Sequence, residues 1–178
     1  MITPQIDPPL DAPELAAVAG ERQILETFVD YFRDVTKNKV AGLTAEQLRI
    51  RLVPSRTTLA GLLKHASAVE RNWFQHRLAQ IPREDIPGNS FGDDDSFLVG
   101  PDESLTDLIN EYDATCEWSR QIAAGFDLDH TVPHPRLGRV SLRWIYVHMI
   151  EELGRHAGHA DILREQIDGA QGDQVVAS

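Results

Sequence analysis

Apolar residues recur along this chain mostly at steps of three and four, the spacing of one face of an α-helix. Leu15, Val18, Leu25, Val29 and Phe32, with Arg22 among them, predict a first helix over about 13–37. Asp11 is its expected N-cap, and Pro13 is tolerated in its first turn. GLTAEQLRIRLVPS (42–55) reads as a short helical turn with an extended exit into Pro54. A second long helix is expected to begin near Thr57 or Thr58. It carries Leu59, Leu62, Ala66, Val69 and Trp73 on one stripe and ends before Pro82.

The stretch 81–103 is rich in Pro, Gly and Asp and breaks the pattern; a loop of this length is often a lid or a binding wall. Its FGDDDS run is read as a solvated acidic loop, because it lacks the ligand spacing of a calcium loop. Ser104 and Asp107 form a capping-box signature ahead of Leu105, Leu108, Ile109, Tyr112, Cys116, Ser119 and Ile122, a third helix closed by Gly125. Residues 126–140 read as a turn or small extended hairpin. Ser141 then caps a fourth helix over about 142–168, with Gly169 just past its end. There is no internal repeat.

Four helices, each with one apolar face to bury, predict an all-α fold, a four-helix bundle with long connecting loops. At 178 residues one domain is expected, with 1–11 as an N-terminal arm, 12–169 as the bundle and 170–178 as a disordered tail. A domain of this size hides roughly 70% of its unfolded surface, so no disulfide or structural metal is needed merely for folding.

Charge narrows the partners. The formal net charge is −11 with no basic run, which argues against nucleic acid and against an anionic membrane surface. The N-terminal MITPQIDPPLDAP lacks the basic and apolar parts of a signal peptide, and no run approaches the ~18 apolar residues of a membrane span. The expected location is cytoplasmic. The single cysteine, Cys116, is consistent with that and reads as a small core residue.

The fourth helix raises the chemical question. On a 100° wheel, Ile145, His148, Met149, Glu152, His156, His159 and Leu163 share one stripe. Its apolar members place the stripe against the core, with the titratable residues in its middle. A buried carboxylate requires compensation, and either a histidine or a divalent cation supplies it. Glu152 and His156 lie one turn apart and can converge on a single ion. A third ligand has to come from elsewhere. His65, at the edge of the second helix's stripe, is the choice over His76, whose QHR context is surface-like, and over the loop residues His130 and His134. From spacing alone, a metal site and a self-satisfied Glu–His network both remain open. Trp73, Phe74 and Trp144 read as core, and Glu70 and Arg71 as solvated or paired.

TTLAGLLKHASAVERNWF (57–74) and HMIEELGRHAGHADILREQIDG (148–169) resemble the DinB-like superfamily, also called the DinB/YfiT-like metalloenzymes, and within it an actinobacterial branch of uncharacterised domains. The resemblance covers about 14–169. It implies a four-helix bundle holding a divalent metal, usually zinc or nickel, on three side chains. Matched by position, these are His65, Glu152 and His156. The commonest pattern has His where Glu152 stands. The relatives that isomerise maleylpyruvate with mycothiol use His, Glu and His. Those isomerases carry an additional C-terminal domain, and the sequence ends soon after the fourth helix, so that specific activity is not expected here.

The resemblance implies a thiol-dependent S-transferase of mycothiol type, acting on small electrophiles through a metal-bound thiolate. The alternatives are a hydrolase using bound water and a non-catalytic metal or small-ligand module. His148, Arg155 and His159 become candidates for orienting ligands or touching substrate, with an Arg155 ion pair to Glu151 or Glu152 as the plainer reading. A homodimer is expected from the family and from apolar residues left over on the first and third helices.

Overall fold

Side-chain caps set where most of the helices begin. The computed structural model describes residues 12–172. The predicted first helix is interrupted: α1 is one turn, Ala12–Leu15, and α2 runs Glu21–Asn38. Between them the chain turns and leaves through an extended Gly20. Leu15 and Val18, counted in the apolar stripe, are 71% and 98% exposed, so the repeat has no surface to pack against there. The expected cap Asp11 and the 1–11 arm lie outside the described residues, as does most of the 170–178 tail.

The other starts follow the sequence. Thr44 and Gln47 make a reciprocal capping box on α3, Ala45–Leu48. The Thr58 hydroxyl accepts from the Gly61 amide and opens α4, Leu59–Glu70. Ser104 and Asp107 form the expected box on α5, Leu105–Ala124. Ser141 caps α6, Leu142–Asp168, which ends on Gly169 at φ 80°, a left-handed conformation that glycine adopts without strain. The hairpin is present as β1, Thr131–His134, and β2, Gly138–Ser141, antiparallel with Val132 opposite Val140.

α4 is the axis of the bundle. Every residue from Leu59 to Glu70 except Lys64 is buried, as expected of a helix covered on all sides. α5 packs along one flank, while α6 packs against both α4 and α2. Leu63, Phe74, Tyr112, Leu142, Ile145 and Met149 form the centre. A Cβ on Gly154 would lie 3.3 Å from the Phe32 ring, so glycine lets α6 and α2 approach closely.

Beyond Glu70 the helix widens into a π-helical segment, Arg71–Leu78, where the Ala79 amide donates to the Phe74 carbonyl at 3.0 Å. The wider turns allow Arg71, Trp73, Phe74, Gln75 and Leu78 all to be buried. Arg71 pairs with Glu111 on α5 at 2.6 Å. Loop 81–103 then makes two 3-10 turns, Arg83–Asp85 and Asp94–Phe97, and folds back on α4 through the second. Among the described residues no helix is long and apolar enough to cross a membrane.

Candidate metal centre

Three side chains named from spacing and resemblance come together. His65 on α4 and Glu152 and His156 on α6 place one ligand atom each within 4.8 Å of one another. Glu152 Oε1 is the hub, 3.2 Å from His65 Nε2 and 3.2 Å from His156 Nε2. His65 is buried, and the side chains of Glu152 and His156 are about 15% exposed, so the trio lies just below the surface.

The proton count at this trio decides what fits there. The Ser96 hydroxyl donates to the Asp93 carbonyl. With its one hydrogen used, Ser96 Oγ accepts from His65 Nδ1 at 2.7 Å. A neutral His65 therefore turns the lone pair of Nε2 toward the carboxylate. His156 Nδ1 is buried without a partner among the described residues, and its Nε2 faces the same oxygen. Lone pairs this close need a proton or a cation between them. Without an ion, hydrogen bonding to His156 and then to His65 holds the Glu152 carboxyl far below the usual carboxylate range, against the burial that opposes it.

The donor set fits a divalent ion. Two N/O ligands at 2.0–2.2 Å from a tetrahedral ion sit about 3.4 Å apart, close to the separations found here. Two neutral imidazoles and one carboxylate also suit zinc or nickel better than hard cations such as calcium, which prefer oxygen alone.

The remaining candidates flank the trio without joining it. Arg155 forms an ion pair with Glu151 and holds Nη1 3.6 Å from Glu152 Oε2, the plainer of its two readings. His148, one turn before Glu152, stacks on Trp144 with centroids 5.1 Å apart, and burial pushes its pKa down. The His159 ring lies 5.4 Å from that of His156. His76 Nδ1 donates to the Ile81 carbonyl, His130 packs on Phe126 and His134 stacks on Trp73; none reaches the trio.

Trp144 corrects the expectation of a core residue: it is 38% exposed, because its position on α6 turns it toward His148 rather than the bundle centre. Trp73 and Phe74 are buried as expected. So is Cys116, whose thiol is pushed far up by burial and then by the Glu70 charge.

Sequence reasoning missed Ser96 and Phe97. The acidic run is not simply solvated: its 3-10 turn delivers a buried Ser96 to His65 and lays the Phe97 ring on the imidazole, centroids 4.1 Å apart and planes 13° from parallel. The signal was the Ser-Phe pair after three aspartates, which gains meaning only once the loop is known to fold back on α4. Gly61 makes the approach possible, because a Cβ there would sit 2.7 Å from the Phe97 carbonyl oxygen. Gly61→Ala is expected to push this turn off His65, destabilising the fold by about 1–3 kcal/mol and weakening zinc binding roughly 10–100-fold. Urea denaturation and a zinc titration measure the two effects. Unchanged zinc affinity would mean that the turn does not position the imidazole.

An all-α bundle whose second and last long helices bring a His–Glu–His trio together defines a protein of the DinB-like class. Within that class the family model described as mycothiol-S-transferase matches residues 24–169, from α2 to the end of α6, and the chain belongs to that family. No curated protein matches the chain.

Proposed function

We propose that the chain is a metal-dependent S-transferase that joins a low-molecular-weight thiol of mycothiol type to a small electrophile. The observation that carries this reading is the convergence of two imidazole nitrogens on one carboxylate oxygen, with the His65 proton kept on Nδ1 by Ser96. Family membership supplies the thiol. His65, Glu152 and His156 would hold the ion, zinc or nickel by donor type. Bound there, the ion supplies an acidified thiol and hence a thiolate nucleophile near neutral pH.

The residues of the chain do the rest. One carboxylate against a dipositive ion leaves a net charge of +1, which favours an incoming thiolate. Ser96 fixes the His65 tautomer, and Arg155 draws on the second Glu152 oxygen, so both ligands keep their orientation. His148, neutral because of its burial, is assigned the thiol proton as it leaves sulfur. The sulfur lone pair then forms the C–S bond, and the electrophile's leaving group departs with the electrons of the bond that breaks.

The test is turnover by the purified, zinc-loaded chain against a panel of electrophiles, with and without mycothiol, and with glutathione as the comparison thiol. Consumption of thiol and electrophile one for one is expected, and it should stop on chelation. No thiol consumption across the panel would defeat the proposal, and turnover without thiol would point to hydrolysis.

A further inference from the structure

The trio does not open onto bare surface. Phe97 covers His65 on one side, and the same ring lines two adjoining cavities of about 420 and 190 Å³ that share Arg51 and Arg56. A third cavity, about 320 Å³, lies on the His156 side, where Val53 and Thr57 face His159 and Ile162. Ser55 and Thr57 line both this cavity and the larger basic one, so one exposed segment borders a groove with two unlike ends. Its apolar end sits beside His159, with Ile162 60% exposed. Its other end is basic on balance, with Arg49, Arg51 and Arg56 lining the two cavities against one aspartate, Asp94.

That basic end is anomalous in a chain of net charge −11. Arg49 donates to the Val99 and Glu103 carbonyls, and Arg51 to the carbonyls of Val53, Pro54 and Ser55. Among the described residues neither guanidinium meets a carboxylate. Arg56 pairs with the exposed Asp95 and also donates to the Asp94 carbonyl at 3.5 Å, both through Nη1. Arg51 Nη1 and Arg56 Nη2 have no intramolecular acceptor among those residues, and both residues line the two cavities. Carbonyl bonding holds the Arg51 guanidinium in place while leaving its charge uncancelled, an arrangement suited to a bidentate oxyanion. A concave site with an apolar body and a few fixed polar groups is the usual form of a small-molecule pocket.

We infer that this groove selects the electrophilic cosubstrate as an amphipathic carboxylate, its apolar body lying between Val53 and Ile162 and its carboxylate at Arg51 and Arg56. The inference rests on the S-transferase reading for the word cosubstrate, but the groove itself is testable without turnover.

The probes are 4-phenylbutyrate and its neutral amide, titrated calorimetrically into the full chain with and without zinc. The acid is expected to bind at least tenfold tighter than the amide. Arg51→Gln/Arg56→Gln should bring the acid down to the amide's affinity, leave the amide unchanged and leave zinc content unchanged. Ile162→Asp should weaken acid and amide together. Because Arg51 also braces residues 53–55, Arg56→Gln alone serves as the second variant, with an expected loss of severalfold for the acid only.

Equal affinity of the wild-type chain for acid and amide overturns the inference, as does discrimination that survives the double arginine variant. Inorganic phosphate competing as well as 4-phenylbutyrate would also overturn it, since the apolar half would then contribute nothing. A chain that binds no zinc but still discriminates acid from amide would count against the S-transferase reading and not against the groove.

Discussion

Glu152→Ala and His156→Ala are each expected to leave a chain that no longer retains a divalent ion through dialysis, while the wild-type chain retains one. Loss of a partner that merely orients a ligand costs roughly 10–100-fold in affinity; loss of a ligand itself should exceed that. The trio gives a reason. Each His reaches the ion position only alongside Glu152 Oε1, 3.2 Å from both, so removing the carboxylate also removes the charge that offsets the cation. A second readout follows from linkage. An ion at 100 times its dissociation constant stabilises the folded state by about 2.7 kcal/mol, or roughly 5–10 °C in midpoint for a domain of this size. Zinc should raise the wild-type midpoint by that much and leave both variants unmoved. A His156→Ala chain that keeps a full equivalent of metal would remove the basis for the centre.

The metal-free chain has its own signature. The folded Glu152 carboxyl is depressed below its unfolded value of about 4.3, by His156 first and His65 second. A depressed acid stabilises the fold above the unfolded value and loses that contribution as pH falls through the folded one. In the absence of metal, stability should therefore decline on acidification below about pH 4.5 more steeply in the wild type than in Glu152→Ala, as acid titrations followed by circular dichroism would show.

The parts of this fold that were legible are those fixed by local chemistry. Ser104–Asp107, Ser141 and Gly169 set helix ends through bonds made within a few residues, and the structure places them where the sequence does. Glu152 and His156 were legible because helical spacing alone puts them on one face. His65 was chosen for its place at the edge of another helix's apolar stripe, and the resemblance pointed to the same residue, though nothing local says that it arrives at that face. What stayed hidden depends on distant contacts. Ser96 is an ordinary loop serine until loop 81–103 returns to α4. The break at Gly20 was masked by an apolar repeat that continued through Leu15 and Val18 with no partner to receive it. The π-helical turn after Glu70 has no mark in the periodicity, because what stabilises it is the burial of Trp73, Phe74 and Leu78 and the pairing of Arg71 with Glu111, neighbours that sequence order does not reveal.

Glu70→Ala is expected to be among the most damaging single substitutions outside the metal centre. Glu70 is fully buried and Arg33 is nearly so, the two bonded side by side with Nε to Oε1 at 2.8 Å and Nη2 to Oε2 at 2.7 Å. This pair ties α2 to the central helix. Removing one partner strands a buried guanidinium, at a cost of about 3–5 kcal/mol. Arg33 would keep only Asp30, at 2.8 Å through Nη1, and the face of Phe74 at 5.6 Å. Other buried polar groups give no ready substitute: both ends of the Gln75 amide are without partners among the described residues, the Tyr112 hydroxyl faces the Cys116 thiol, and none carries a negative charge. Against a total stability of about 5–15 kcal/mol for a single domain, the loss should lower the thermal midpoint by roughly 6–20 °C. Urea denaturation of Glu70→Leu, of Arg33→Met and of Arg33→Met/Glu70→Leu completes the cycle, with Glu70→Ala measured beside it. The double variant should recover most of the loss, because replacing both charges with apolar side chains also removes their desolvation cost. A Glu70→Ala loss below about 1 kcal/mol would mean that the pair behaves as a solvated one. A double variant that regains stability but binds zinc less tightly would instead show that the pair also holds α4 in the rotation that presents His65 to α6.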